Sequence, residues 1–380
     1  MNENKNKKSV SNILVSVAFL VFIAGFFGVS LFLEDKVFSE SENRHLAGSP
    51  ELSLDRVADG SFSKDFEAYV QDQFPERDGL MSLKTTSEKA LGKKDNGLVY
   101  FGEDGYLFAL EDIDMEQLDK NISYINKFAE ENDIDMKIMV VPTASEVLND
   151  KLPEHLYLNA EKNAFDAIEK GVNIPFEDVR DELKEHSDEY IYYRTDHHWT
   201  VLGAFYAYES ISDRDVELDD YEIKEVSRDF LGTNYSKALL STIGPDSIHR
   251  FDLENDKAKY RMEIYDKGIV TKRFDEPYDP EYLLQKDKYS YFLSGNNPVT
   301  VIEKSKKEET EKNTLVVKDS FAHCFIPFIA AERNIVVAAD MRYYRNGLAE
   351  LIEEYEIDEV LFLYNIVNFS NDRNIVFINR

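Results

Sequence analysis

The chain has 380 residues, 43% of them hydrophobic and 13% aromatic, which excludes a disordered chain and a small scaffold that needs covalent staples. Its 74 acidic and 44 basic side chains leave a formal charge of -30, which argues against binding nucleic acid through backbone phosphates. The one cysteine, Cys324, excludes an intramolecular disulfide and zinc sites built on several thiolates.

Residues 13–33 run for 21 positions without a charge. As a helix they would rise about 30 Å, the thickness of a bilayer core. Lys5, Lys7 and Lys8 precede the run, and Glu34 and Asp35 follow it. The positive-inside rule therefore predicts a cytoplasmic tail at 1–12, a single-pass anchor at 13–33 and an extracytoplasmic remainder. The competing reading is a cleaved signal peptide, with Gly28 and Ser30 as small cleavage-site residues. The run is long for a signal sequence, which favours the anchor. An exported chain without disulfides fits a bacterial cell envelope.

Residues 34–60 read as a polar stalk. Phe62, Phe66, Tyr69 and Val70 have helical spacing, and a second amphipathic stretch covers 80–91. Residues 97–108 predict a hairpin turning at Glu103-Asp104-Gly105, and 115–130 a helix. Lys137-Ile138-Met139-Val140-Val141 is a short apolar run stopped by Pro142, the mark of a strand covered on both faces. Three more such runs, at 314–317, 334–338 and 359–363, alternate with helical stretches at 321–331 and 347–355. This pattern predicts an α/β domain over 61–380, with a mostly parallel sheet and flanking helices. Two separated pieces of chain would build the sheet, with a large insertion at about 212–312 between them. The insertion is charged and rich in tyrosine. Tyr260, Tyr265, Tyr278, Tyr282, Tyr289 and Tyr291 suit either stacking on sugars or filling a core.

Ligands of open α/β sheets bind at the carboxyl ends of the strands. Two motifs fall there. In Tyr193-Arg194-Thr195-Asp196-His197-His198-Trp199 an apolar run enters and an apolar helix leaves, with Thr200 placed to cap it. Asp196 and His198, two apart in extended chain, face the same way. The carboxylate can then orient the imidazole and stabilise its protonated form. In Val316-Val317-Lys318-Asp319-Ser320-Phe321 a buried strand ends, a serine follows and an apolar helix begins. Ser320 needs a base to act as a nucleophile, and His198 supplies one if the two loops meet. The bland alternatives are a helix cap for Ser320 and a surface pair for Asp196 and His198. A metal site drawn from Asp196, His197, His198 and His323 is the other chemical reading; adjacent histidines diverge in extended chain, so no metal and no cofactor are expected.

The string Asp196-His197-His198-Trp199 resembles the DHHW proteins of bacteria, relatives of the alginate O-acetyltransferases AlgX and AlgJ, which have SGNH-hydrolase-like domains. The resemblance extends to Ser41-Glu42-Asn43-Arg44, Asp72-Gln73-Phe74-Pro75-Glu76-Arg77-Asp78, Val141-Pro142-Thr143, Gly232-Thr233-Asn234-Tyr235-Ser236-Lys237 and Asp340-Met341-Arg342-Tyr343-Tyr344. It implies a triad of Asp196, His198 and Ser320. It also implies an acyl-enzyme, a polysaccharide acceptor, and a membrane-bound acyltransferase as acetyl supplier. The sequence departs from SGNH hydrolases in three ways: Lys318 stands where Gly is usual, Ser follows rather than precedes Asp and His, and those two are two apart rather than three. The oxyanion Gly and Asn do not map clearly. Asn365 is the candidate for the Asn, with Arg342 and Tyr343 as candidate cleft residues. His45, His155, His186 and His249 lie in polar contexts and are expected in solvent, and Cys324 as a buried structural thiol.

Three functions follow: an anchored extracytoplasmic O-acetyltransferase acting on a cell-surface or secreted polysaccharide, a carbohydrate esterase of the same fold, and a non-catalytic polysaccharide-binding or scaffold protein.

Overall fold

The computed structural model describes residues 2–30, 32–39, 44–153, 160–212, 214–254 and 258–380, with the backbone alone at 2–12 and 27. Ser41, Glu42, Asn43 and His155, named above, lie outside the described residues. The chain divides into two compact units. One comprises residues 1–91 with 239–241, the other 92–238 with 242–380.

The first unit opens with helix α1 (Asn2–Ser30), in which Ile13–Ser30 is long and apolar enough to cross a membrane, with mean hydropathy 2.5. Helices α2 (Ser61–Asp72) and α3 (Arg77–Ala90) follow. The segment preceding α2 is tied to its end. Arg44 forks onto the Asp72 carboxylate at 2.5 and 2.9 Å, and the Gln73 amide donates to the carbonyls of Lys36 and Ala47. Two of the stretches that carry the family resemblance thus meet in one ion pair. The sequence reading put α2 and α3 in the α/β domain; by compactness they group with the N-terminal helix.

The second unit begins with the hairpin of β1 (Val99–Phe101) and β2 (Leu107–Ala109), turning through Glu103–Gly105 where Asp104 and Gly105 take positive φ. Helix α4 (Met115–Glu131) is capped by Asp114, whose carboxylate accepts from the Gln117 N–H at 3.0 Å. It buries Leu118, Ile122, Ile125 and Phe128 at helical spacing. Then come β3 (Asp135–Val141), α5 (Ala160–Gly171), β4 (Phe176–Asp178) and α6 (Val201–Glu209). The long middle segment supplies β5 (Tyr221–Phe230), β6 (Asp246–Leu253), β7 (Tyr260–Asp266), β8 (Ile269–Phe274) and β9 (Val299–Lys304). The chain ends with β10 (Asn313–Lys318), α7 (Ile326–Glu332), β11 (Ile335–Ala339), α8 (Ala349–Glu354), β12 (Glu359–Asn365) and α9 (Ile366–Asn371).

Eight strands form the main sheet in the order β8-β7-β9-β11-β10-β12-β3-β4. From β11 to β4 every neighbouring pair is parallel. The fold is therefore the expected α/β domain with a mostly parallel sheet, and its parallel part does come from two separated pieces of chain. Alternate residues of each strand face opposite sides. Met139, Val141, Val316, Val336, Ala338, Leu361 and Leu363 join one apolar cluster with α6 and α7. Ile138, Val140, Leu315, Val317, Val337, Val360 and Phe362 join the other with α4, α5 and α8. Both faces are covered, which explains the unbroken apolar runs.

The middle segment is partly continuous with this sheet. While β5 and β6 pair only with each other, β9, β7 and β8 extend the sheet antiparallel beyond β11. The outer strand, β8, escapes recognition because it is largely exposed, with Lys272 and Arg273 in solvent.

Candidate active site

Strand β10 lies inside the parallel region, paired with β11 and β12. Its carboxyl end delivers Asp319 and Ser320 to the sheet edge. Asp319 caps the 3₁₀ turn Ser320–His323 by accepting from the Phe321 N–H at 2.8 Å. Its other oxygen accepts from the Asn365 N–H at 2.8 Å and the Asn368 amide at 2.7 Å. This buried carboxylate fastens the serine turn to β12 and α9. Burial nonetheless raises its pKa.

The loop at 194–198 arrives from across the chain. An antiparallel bridge between Tyr192 and Trp199 closes it, and Thr200 caps α6 through the Gly203 N–H. Buried Asp246 accepts from the Arg194 and Thr195 N–H groups, the Thr195 hydroxyl and the Tyr190 hydroxyl. The Trp199 indole N–H donates to the Phe321 carbonyl at 2.8 Å, linking this loop to the serine turn.

The two loops meet. His198 Nε2 lies 2.7 Å from Ser320 Oγ, and His198 Nδ1 lies 2.6 Å from Asp196 Oδ1. Asp196 Oδ1 also accepts from the His198 N–H at 3.0 Å, while Oδ2 accepts from the Thr233 N–H at 2.7 Å and hydroxyl at 3.1 Å. Asp196, His198 and Ser320 are all buried, the serine being 8% exposed. Burial opposes ionisation of Asp196. The two imidazoles beside it and its hydrogen bonds outweigh that, so its pKa lies well below the usual carboxylate range. Tyr289 stacks on the His198 ring at 3.9 Å and donates its hydroxyl to the Ser320 carbonyl at 3.2 Å. Of the tyrosines considered for sugars, this one packs against the imidazole instead; Tyr278 and Tyr291 are likewise buried.

The other candidates sit differently. Asn365 reaches the same edge, but its amide N–H₂ is turned to the Val141 and Pro142 carbonyls at 3.1 and 3.5 Å, and its oxygen caps α9. Arg342 forks onto Asp340, with its ring neighbour Tyr343 half exposed. Lys318 is buried with its ammonium 2.7 Å from His323 Nε2 and 3.7 Å from Asp340, and burial lowers its pKa to about 8. Asp196, His197 and His198 offer ligand atoms within 4.8 Å of one another, a group that does not include His323. Both ring nitrogens of His198 are engaged by Asp196 and Ser320, and His197 Nδ1 lies 2.7 Å from the Thr233 hydroxyl. Cys324 is buried, and burial pushes its thiol up to about 12. His45 is exposed; His186 pairs with Glu189 and His249 approaches Glu225.

Sequence reasoning missed the support behind Asp196. Gly232 and Thr233 cradle that carboxylate. A Cβ at Gly232 would come within 2.3 Å of the Asp196 side chain. The signal was present as the Gly-Thr-Asn string, yet nothing local ties it to a carboxylate 36 residues earlier.

Ser320, His198 and Asp196 thus converge at the carboxyl edge of an α/β sheet. The chain is a member of the DHHW protein family, whose model matches residues 138–338. Among solved structures, a DHHW family protein from Eubacterium siraeum overlays with TM-score 0.62 at 23% identity, covering 74% of this chain and 98% of that one. Bacillus cereus PatB1 carrying a sulfonyl adduct overlays with TM-score 0.59 at 21% identity, covering 74% and 99%. The O-acetyltransferase domain of Pseudomonas putida AlgJ overlays more distantly, with TM-score 0.44 at 12% identity, covering 72% and 93%. No curated protein matches the chain by sequence.

Proposed function

We propose that the protein is an extracytoplasmic O-acetyltransferase that modifies a cell-surface or secreted polysaccharide through an acetyl-Ser320 intermediate. The observation that carries this reading is the unbroken chain from Ser320 Oγ through the His198 ring to Asp196. In the first half-reaction His198 Nε2 takes the Ser320 proton as Oγ attacks the acetyl carbonyl. The donor's oxygen leaves with that proton, and acetyl-serine remains. In the second, a sugar hydroxyl gives its proton to His198 and attacks the acetyl carbonyl. Ser320 Oγ leaves and recovers a proton from the imidazolium. Asp196 holds the imidazole orientation and stabilises its positive charge in both halves.

The DHHW resemblance supports transfer to a sugar over hydrolysis, and a membrane-bound acyltransferase would supply the acetyl group. The apolar helix and the lysines before it support an anchored chain with its α/β unit outside. The test uses the full-length chain in detergent with an activated acetyl ester, followed by mapping of acetylated residues by mass spectrometry. Acetyl should accumulate on Ser320 and be absent in Ser320→Ala and His198→Ala. Absence of label on Ser320 in folded wild-type protein would overturn the acyl-enzyme and favour a binding protein.

A further inference from the structure

A cleft of about 430 Å³ opens beside the triad, lined in part by His197, Phe321 and Asn365. Its volume is that of a small-ligand site. Its rings are Tyr100, Phe108 and Phe321, and its wall includes Thr143, Ser145 and Glu161. The Glu161 carboxylate, nearly buried, accepts from the Thr143 N–H at 3.1 Å and from the Thr143 hydroxyl, which lies 2.6 Å from the Ser145 hydroxyl.

Three carboxylates line this cleft: Glu111, Asp112 and Glu161. Among the described lining residues there is no lysine or arginine. Lys237 reaches Glu111 at 3.4 Å from outside the lining. Asn234 adds an independent sign. It is 2% exposed and lines the cleft, and its amide N–H₂ is spent on the Leu107 carbonyl at 2.8 Å. That bond fixes which end of the amide is oxygen, and the oxygen has no partner among the described residues. Nearly every polar group here accepts hydrogen bonds, and none is a fixed cation.

We propose that this cleft is the acceptor subsite and that it takes an uncharged, hydroxyl-rich pyranose unit of a polysaccharide. Sugar hydroxyls are donors that match the Asn234 oxygen and the carboxylates, while the ring's C–H faces pack on the aromatic side chains. A uronate, sulfate or phosphate group would meet the like charges of Glu111 and Asp112, and Lys237, the cation outside the lining, is already paired with Glu111. The inference rests on the reading of Ser320 and His198 as the transfer centre, and it narrows the acceptor to glycans without anionic groups at the acetylated unit.

The test measures binding to full-length Ser320→Ala protein in detergent by calorimetry, so that no turnover is needed. The ligands are an N-acetylglucosamine tetrasaccharide and a mannuronate tetrasaccharide. The neutral one should bind at least tenfold more tightly. Asn234→Ala should weaken it about tenfold, and Asp112→Lys, at an exposed position, should improve mannuronate binding at low salt. Stronger binding of mannuronate to the parent, or no binding of either sugar, would overturn the proposal. Acetylation of Ser320 in the wild-type chain is scored separately. Label on Ser320 together with a mannuronate preference sinks the subsite alone. Neutral-sugar binding without label supports the subsite and sinks the transferase.

Discussion

At the scale of single residues, Asp196 is the hub, because one carboxylate meets His198, Thr233 and the His198 backbone. Asp196→Asn keeps the volume but presents the wrong hydrogen-bonding group to Nδ1. Acetylation of Ser320 should slow by about 10²–10⁴-fold, and the melting temperature should fall as well, because the depressed pKa makes the ionised carboxylate stabilising; single-turnover kinetics and a melting curve check the two. Gly232→Ala should displace the same carboxylate by steric contact and slow acetylation by about 10²-fold. A second prediction concerns Glu161. Burial raises its pKa from 4.5 to about 7. The folded chain therefore binds more protons than the unfolded one across that window, so this group's contribution to stability falls as pH rises from about 4.5 to about 7. Comparing denaturant unfolding of wild type and Glu161→Gln at pH 5 and pH 8 should show the wild type losing up to about 3 kcal/mol relative to the variant. A wild type that instead gains stability over that range would contradict the assignment. Asp196, His198 and Ser320, which the structure brings together, stood out in the sequence because Asp-x-His and Asp-Ser are short local strings at strand ends. Thr233 and Asp246 were not, since what they do depends on contacts formed only in the fold. Asn365 was placed at the right edge, but sequence cannot say which way an amide points.

At the scale of elements, the serine turn is held by one buried carboxylate that ties β10 to β12 and α9. Asp319→Ala would leave the N–H groups of Phe321 and Asn365 and the Asn368 amide without that acceptor. It should cost about 2–4 kcal/mol, read as a lowered denaturant midpoint with an unchanged slope. Were the loss below ~0.5 kcal/mol, the turn would be held by other means. The parallel strands were readable from sequence because each is covered on both faces and so is apolar throughout. Strands β7 and β8 were hidden for the opposite reason. Paired at a sheet edge, with several charged side chains in solvent, they have no continuous apolar run. The same edge explains why residues 212–312 read as an insertion although part of them completes the sheet.

At the scale of the whole molecule, a strongly acidic chain follows an uncharged run of 21 residues. If that run is an anchor, the full-length chain should sediment with membranes and resist extraction by salt or carbonate, whereas a chain beginning at Glu34 should be soluble. N-terminal sequencing of the membrane-bound form separates the two readings. A start at or near Met1 supports the anchor, and a start shortly after Ser30 a cleaved signal. The net charge also sets a salt dependence. Any association with an anionic polymer should strengthen as ionic strength rises from 0.01 to 0.15 M, because the Debye length falls from about 30 to about 8 Å. Binding of a neutral glycan should be nearly indifferent to the same change.

Trp199 is the chain's only tryptophan, and its indole is fully buried, bonded to the Phe321 carbonyl and stacked on Phe325. The protein therefore carries a single tryptophan fluorophore, which can be excited at wavelengths where its 22 tyrosines do not absorb, and it adjoins His198 in sequence and bonds to the carbonyl of the residue after Ser320. Its emission reports on the junction of the two loops and on nothing else in the molecule. A red shift during unfolding marks the moment the loops part. A small change on mixing with an acyl donor would time the loading of Ser320 in a stopped-flow instrument, with no label attached.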